Sequence, residues 1–446
     1  MSSAYPEDTI TAIATAPGQA GIGVVRVSGP FSSQIAEAML GFCPEPRVAT
    51  YSSFLATSGE VLDQGLALFF AGPKSFTGED VLELQGHGGP VVLDMVLSRV
   101  LELGARMAEP GEFTKRAFLN DKLDLTQAEA ISDLISSSTR QAASGAMRSL
   151  QGDFSVHVND LISNVTKLRV YVEAAIDFPE EEVNFLADDS INTQLRKIIG
   201  DIQHLIKESN TGRLLSDGAS VVLLGKPNAG KSSLMNRLTA SEASIVTSMP
   251  GTTRDTVEQQ LHLDGIPLQI TDTAGIRDSV DEIEAEGVRR ALAASDRADV
   301  AIIVVDASLP EPALDLQELS GLTDIPSIVV YNKMDLVDDL SLPLEALAVS
   351  AINGFGFESL TTAIKQKIGV ETPVESGFTS RRRHVTALTE ALNAAMKGRE
   401  EFEASHSGEL LAEELRECQI SLGQISGEFT ADDLLGEIFS SFCIGK

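Results

Sequence analysis

The residues best suited to chemistry stand together at Gly225, four residues on at Gly230, and then at Lys231 and Ser232. This is the full G-x-x-x-x-G-K-S spacing of a phosphate-binding loop. Backbone N–H groups of such a loop converge on phosphate oxygens, and the helix N-terminus behind them adds positive potential. Lys231 is long enough to reach the β- and γ-phosphates, and the Ser232 hydroxyl is a ligand for Mg2+. Asn228, Ala229, Gly230, Lys231, Ser232 and Ser233 are therefore the first candidate contacts.

Four further motifs follow in order. Gly251-Thr252-Thr253-Arg254-Asp255 lies beyond the helix, where a threonine closes on the γ-phosphate and Mg2+. Asp272-Thr273-Ala274-Gly275 places a carboxylate in the outer shell of Mg2+ and the Gly275 N–H at the γ-phosphate. In Asn332-Lys333-Met334-Asp335 the last carboxylate matches guanine N1–H and its 2-amino group, a donor pair that adenine lacks. Ser350-Ala351 supports the base. Five motifs in this order specify a GTP-binding domain. Ile276 stands where Ras-like GTPases carry the water-orienting glutamine. The Asn228 amide, holding a monovalent cation, is one replacement for the missing charge. Glu282 and Glu284 are open between two readings, a water-orienting carboxylate and a solvated helix start.

The elements that position these residues are legible too. Val221–Leu224 reads as a buried strand and the run from Ser233 to Leu238 as a helix. Leu268–Thr271, Ser327–Tyr331 and Leu347–Val349 read as strands whose ends carry the motifs, where an α/β sheet places its ligand. Upstream, strands are expected at Thr9–Ala16, Gly21–Val27, Leu66–Phe70 and Val81–Leu84, with helices at Ser32–Leu40 and Val91–Leu103. Arg26 and Glu83 interrupt two of these strands and read as outward-facing positions. Gly86–Pro90 reads as a turn, with an anion-holding loop as the alternative.

Helical text begins near Leu125, breaks near Asp177–Glu182 and carries a seam at Ile191, Leu195, Ile198, Ile202 and Leu205. It resumes over Arg381–Glu403, Gly408–Gly423 and Ala431–Cys443, as if one helical domain were interrupted by the nucleotide domain. The basic Arg381–Arg383 cluster reads as a linker or cap, with RNA contact as the alternative. The amphipathic end, Asp432–Phe442, is expected to dock. The domains are thus 1–120 (α+β), 121–212 (helical, first part), 213–377 (nucleotide) and 378–446 (helical, second part). The fold class is multidomain α/β.

The chain has 446 residues and a net charge of −31, which argues against RNA binding through bulk charge. Three cysteines, Cys43, Cys418 and Cys443, are too scattered for a disulfide frame or zinc site. The first basic residue is Arg26, and apolar runs such as Val300–Val305 are strand-sized, so a soluble cytoplasmic protein without membrane contact is expected.

With these residues in hand, the chain resembles the MnmE (TrmE) family of tRNA-modification GTPases from end to end. The resemblance is carried by Pro17-Gly-Gln-Ala-Gly-Ile-Gly-Val-Val-Arg26, by Ser75-Phe-Thr-Gly-Glu-Asp-Val-Leu-Glu-Leu-Gln-Gly-His-Gly-Gly-Pro90, by Pro110-Gly-Glu-Phe-Thr-Lys-Arg-Ala-Phe-Leu-Asn120 and by the terminal Cys443-Ile-Gly-Lys446. It implies an N-terminal folate-binding-like domain that forms a homodimer, a helical domain, and an inserted Ras-like P-loop GTPase domain that pairs transiently with its twin. It implies potassium-dependent GTP hydrolysis. It also implies a flavoprotein partner using FAD and NADH, MnmG (GidA), in a heterotetrameric or larger complex. Together they would add an aminomethyl or carboxymethylaminomethyl group at C5 of the wobble uridine of certain tRNAs. The one-carbon unit would come from 5-formyl- or 5,10-methylene-tetrahydrofolate.

By position, Arg26, Glu83, Lys122 and Lys446 match the folate contacts. Asn228, Thr247, Met249 (through its carbonyl) and Thr252 match the K+ ligands, and Ser232 and Thr253 the Mg2+ ligands. Ser248, Pro250 and Gly251 complete the loop around GTP. The resemblance assigns Glu284 as the catalytic glutamate and Cys443 as the terminal cysteine on which activity depends. A regulatory switch GTPase of ribosome assembly, with no covalent RNA chemistry, is the alternative, and a GTP-regulated protein scaffold a third. The N-terminal domain and Cys443 favour the first reading.

Overall fold

The computed structural model describes residues 8–177, 189–241, 257–263, 266–272, 298–310, 312, 325–337, 342–343, 345–369, 377–428, 432–440, 442 and 444–445. Two compact units are present. One comprises residues 1–132, 150–186 and 400–446, the other 133–149 and 187–399.

The first unit is built on a sheet of β1 (Ile10–Ile13), β2 (Ala20–Ser28), β3 (Thr50–Leu55), β4 (Val61–Phe70), β5 (Val81–Gly88) and β6 (Arg106–Met107). Their order is β3-β4-β5-β2-β1-β6, antiparallel except for the parallel β1–β6 pair. Alternation along the strands turns Val25, Val27, Leu82 and Leu84 to one face. There they share a core with α1 (Ser32–Leu40) and α2 (Pro90–Glu102). Arg26 and Glu83 lie on the other face and are direct cross-strand partners. They are half-buried and bonded to each other, rather than solvated as outward-facing charges.

Two local expectations change. Residues 86–88 continue β5 instead of turning, and Gly89 caps α2, whose first residue is Pro90. Asp63 of β4 holds this end of β5 through the His87 N–H and ring, both at 2.7 Å. β3 was not anticipated. It is a serine-rich edge strand in which Phe54 alone is fully buried, so it lacks an apolar run.

Charge ties the bottom of this unit together. Arg106 forks onto Glu112 at 2.8 and 2.6 Å. Arg116 reaches Asp8 (2.8 Å), Glu79 (3.0 Å) and Glu112 (3.0 Å). Glu112 and Arg116 stand on α3 (Glu112–Leu119), and α4 (Leu125–Ser136) and α5 (Arg140–Gln151) follow.

The long helix α6 (Asp153–Asp177) buries Phe154, Val158, Leu161, Val165, Leu168 and Val172, steps of four and three along one face. α7 (Asp189–Ser216) buries Ile191, Leu195, Ile198, Ile202 and Leu205, the seam expected from the sequence.

The second unit holds a sheet of β7 (Ala219–Leu224), β8 (Val257–Leu263), β9 (Ile266–Asp272), β10 (Val300–Asp306), β11 (Ser327–Asn332) and β12 (Leu347–Ala348). Their order is β12-β11-β10-β7-β9-β8, all parallel except the β8 edge. β10 is buried along its whole length, as a central parallel strand must be. α8 (Lys231–Ser241) and α9 (Phe357–Lys367) cover the sheet, adding Leu234, Met235, Leu238, Leu360 and Ile364 to its core.

α10 (Arg382–Ser405), α11 (Gly408–Ser426) and α12 (Asp432–Ser440) complete the chain. α11 packs along α6 through Leu411, Leu415, Cys418, Leu422 and Ile425, so the C-terminal text does find its partner in the earlier helical stretch. α12 and Phe442 pack with Leu125, Ala128 and Phe118, the docked end expected of the amphipathic tail. Among the described residues no helix is long and apolar enough to cross a membrane.

Candidate functional site

β7 ends at Leu224, the loop 225–230 follows, and α8 begins at Lys231: strand, glycine loop, helix. Asn228 takes φ +63° and is exposed on this loop, as are Ser232 and Ser233 on the first turn of α8. Lys231 is 4 % exposed. Its Nζ donates to the carbonyls of Gly225 (2.6 Å) and Lys226 (3.0 Å), which folds the side chain across its own loop.

Asn332, at the end of β11, is 2 % exposed and braces the site from below. Its Nδ2 donates to the Ala229 carbonyl (3.0 Å), and its Oδ1 accepts from the Ala351 N–H (3.1 Å). One buried amide thereby joins the phosphate loop to the Ser350-Ala351 loop. The brace also explains Gly230: with φ +93°, a Cβ there would stand 2.2 Å from Asn332 Nδ2. Ser350 Oγ donates to Asp335 Oδ1 at 2.5 Å. A carboxylate aligned this way leaves its other oxygen lobe for a second donor.

Lys333 adopts φ +67°, and its Nζ pairs with Asp306 Oδ2 at 2.6 Å. Burial works against ionisation of Asp306. The bonds from Lys333 and Ser308 outweigh it and hold the carboxyl below its usual range. Sequence reasoning missed Asp306. Its one signal was an acidic residue closing an otherwise apolar strand, which alone does not separate a site from a strand end.

Thus Asn228, Ala229, Gly230, Lys231, Ser232, Ser233, Asn332, Lys333, Asp335, Ser350 and Ala351 gather at the C-terminal edge of one parallel sheet. Asp272 ends β9 on the strand next to β7. Thr247, Ser248, Met249, Pro250, Gly251, Thr252, Thr253, Thr273, Ala274, Gly275, Glu282, Glu284, Cys443 and Lys446 lie outside the described residues.

A second constellation sits on the face of the first sheet opposite α1 and α2. Arg26 Nε donates to Glu83 Oε1 at 2.9 Å, and Gln85 Nε2 donates to Glu83 Oε2 at 3.3 Å. The Arg26 guanidinium carbon lies 5.8 Å from the centroid of the buried Phe113 ring, and its Nη1 donates to the Gly445 carbonyl at 3.3 Å. The C-terminal segment therefore reaches the Arg26–Glu83 pair. Lys122 is exposed and donates to the Pro73 carbonyl at 3.0 Å. Phe113 and Gln85 were missed, since an aromatic residue and an amide in such positions read equally well as core and surface.

These two constellations stand in a chain with close relatives. Residues 9–122 match the family model described as the GTP-binding protein TrmE N-terminus, and residues 125–443 that of the MnmE helical domain. The tRNA modification GTPase MnmE of Pseudomonas syringae pv. tomato is 52 % identical over 99 % of this chain and 99 % of that protein. That of Hydrogenovibrio crunogenus is 51 % identical over 98 % of this chain and 99 % of its own. Among solved structures, the G domain of the T. maritima FeoB iron transporter is 29 % identical, covering 34 % of this chain and 96 % of that one, with a TM-score of 0.26. Both domain models match, and half of all positions are identical to those of full-length relatives. On that ground, with the phosphate loop and the Asn332–Asp335 and Ser350–Ala351 motifs at one sheet edge, the chain belongs to the tRNA modification GTPase MnmE family.

Proposed function

We propose that the protein couples GTP hydrolysis to C5 modification of the wobble uridine in certain tRNAs. The group added is aminomethyl or carboxymethylaminomethyl, its carbon supplied by a 5-formyl- or 5,10-methylene-tetrahydrofolate. An FAD- and NADH-using flavoprotein of the MnmG (GidA) kind is the partner, in a heterotetrameric or larger cytoplasmic complex around a homodimer of this chain. The observation that carries this reading is the Ala229–Asn332–Ala351 brace with the Ser350–Asp335 bond beside it, in a chain whose relatives, named as tRNA modification GTPases, match it end to end.

The residues have these proposed roles. Lys231 and the 228–233 backbone bind the phosphates, and Asp335 reads guanine. The Ser232 and Thr253 hydroxyls suit Mg2+, which would neutralise phosphate charge when bound. Asn228 suits K+: its side chain is exposed on the phosphate loop, and an amide oxygen is a fitting donor. Thr247, Met249 and Thr252 would complete that ion's set. Glu284 orients water, and Cys443 serves the modification step. Arg26, Glu83, Lys122 and Lys446 hold the folate. Glu83 suits a pterin, whose ring N–H and amino group form a donor pair for one carboxylate. The proposed domain limits are 1–120, 121–212, 213–377 and 378–446.

Nucleoside analysis of tRNA from cells lacking the protein is the test. Modified wobble uridines should vanish and return with the intact gene. If they are unchanged, the protein belongs with switch GTPases that do no RNA chemistry. For the cation, GTP turnover should be roughly tenfold or more faster in K+ than in Na+. Equal rates in the two salts would sink the role given to Asn228.

A further inference from the structure

α8 leaves the phosphate loop and carries Arg237 on its second turn. The Arg237 guanidinium donates two long hydrogen bonds, to the carbonyls of Ile352 (3.3 Å) and Asn353 (3.4 Å). Those residues directly follow Ser350 and Ala351. The guanidinium also lies close against the Gly354 backbone. Gly354 has φ +87°, and a Cβ there would stand 2.3 Å from Arg237 Nη2.

Beyond Ala351 the loop closes on itself. The Gly354 N–H donates to the Ser350 carbonyl (2.9 Å), the Ser350 N–H to the Phe355 carbonyl (3.0 Å) and the Phe355 N–H to Asn353 Oδ1 (2.9 Å). Its large side chains bury little: Ile352 is 76 % and Phe355 58 % exposed. Asn332 and Asp335 tie the start of this loop at Ala351 and Ser350, and Arg237 ties the exposed, poorly packed stretch that follows.

We infer that Arg237 is a positioning residue for guanine binding. It clamps the base loop to the helix that carries Lys231 and Ser232, and so presets Ser350 and the Asp335 carboxylate it orients. The inference rests on the proposed reading of Asp335 as the guanine contact. A clamp of this kind lowers the ordering cost of binding. It serves GDP and GTP alike, so it acts on affinity and leaves the chemical step alone. The planar fork matters, because its two Nη groups meet the Ile352 and Asn353 carbonyls in fixed, coplanar directions that the compact ammonium of a lysine does not reproduce.

The test uses the full chain and measures release of a fluorescent GDP analogue together with KM and kcat for GTP. In Arg237→Ala, release rate and KM should both rise roughly three- to tenfold, while kcat moves by less than about twofold. Arg237→Lys should fall between Ala and the parent. Release from Arg237→Ala at the parent's rate, or a fall in kcat with release and KM unchanged, would overturn the clamp. Asp335→Asn is run beside it. If that variant keeps the parent's guanine preference, the base-site reading itself fails, and the clamp with it. If Asp335→Asn loses that preference while Arg237→Ala is unaffected, the clamp alone fails.

Discussion

Asn332 uses both ends of its side-chain amide inside the protein, one on each loop of the nucleotide site. Truncation to alanine would leave the Ala229 carbonyl and the Ala351 N–H without their partner. An unmade buried bond costs about 1–3 kcal/mol. Asn332→Ala should therefore lower the melting temperature in calorimetry and weaken GDP binding in titration, because both loops lose their common support. Glu112 makes a different prediction, in pH. Burial opposes its charge, but bonds from Arg106, the Glu109 N–H and Arg116 win and bring its pKa down to about 2. A carboxyl depressed on folding contributes stability above its unfolded pKa, near 4.5, and that contribution is lost as pH falls toward about 2. The size is on the order of 2–3 kcal/mol. Glu112→Gln should melt lower at neutral pH and show a flatter acid limb between pH 4.5 and 2, read by circular dichroism. Most residues of the candidate GTP site were legible, because phosphate binding and base reading each call for particular residue types at fixed spacing. Asp306 was not, since its task is to hold Lys333, and any acidic strand end looks the same in sequence.

At the scale of elements, the α6–α11 pair shows how far periodicity carries. Both helices step by four and three, so each bears one apolar stripe, and neither sequence names its partner. Leu168 sits fully buried in this seam. Leu168→Ala should cost about 2–4 kcal/mol in thermal unfolding and leave nucleotide affinity untouched, since the residue lies in the other compact unit. A matching loss of GDP binding would show that the seam does more than pack. Cys418, in the same seam, has its thiol pushed up to about 12 by burial, so it should resist alkylation in the folded protein. Strand reading was weaker. β3 is an edge with a polar outer side, and the glycines of the β5 end mimic a turn, although the His87 between them is held in the strand by Asp63.

For the whole molecule, charge decides how RNA is met. A chain of net charge −31 repels a polyanion unless basic surface is lent to it. On the proposed function, tRNA binding by this chain alone should be weak and show a shallow slope of log affinity against log salt. Adding the flavoprotein partner should steepen it. A steep slope for the chain by itself would point to a local basic patch instead.

The sequence by itself determined the phosphate loop, the Asn332–Asp335 motif proposed to read the base, the parallel strands that carry them and the family, because each rests on local spacing and on residue types the chemistry dictates. What only tertiary structure decided were the contacts between distant segments. These are Arg26 meeting Glu83, Phe113 and Gly445, Asn332 bridging two loops, and Arg237 gripping Ile352 and Asn353. Such pairings depend on which strands lie side by side and where a helix ends in space. Sequence order does not encode them, and side chains able to make them are equally at home on an ordinary surface.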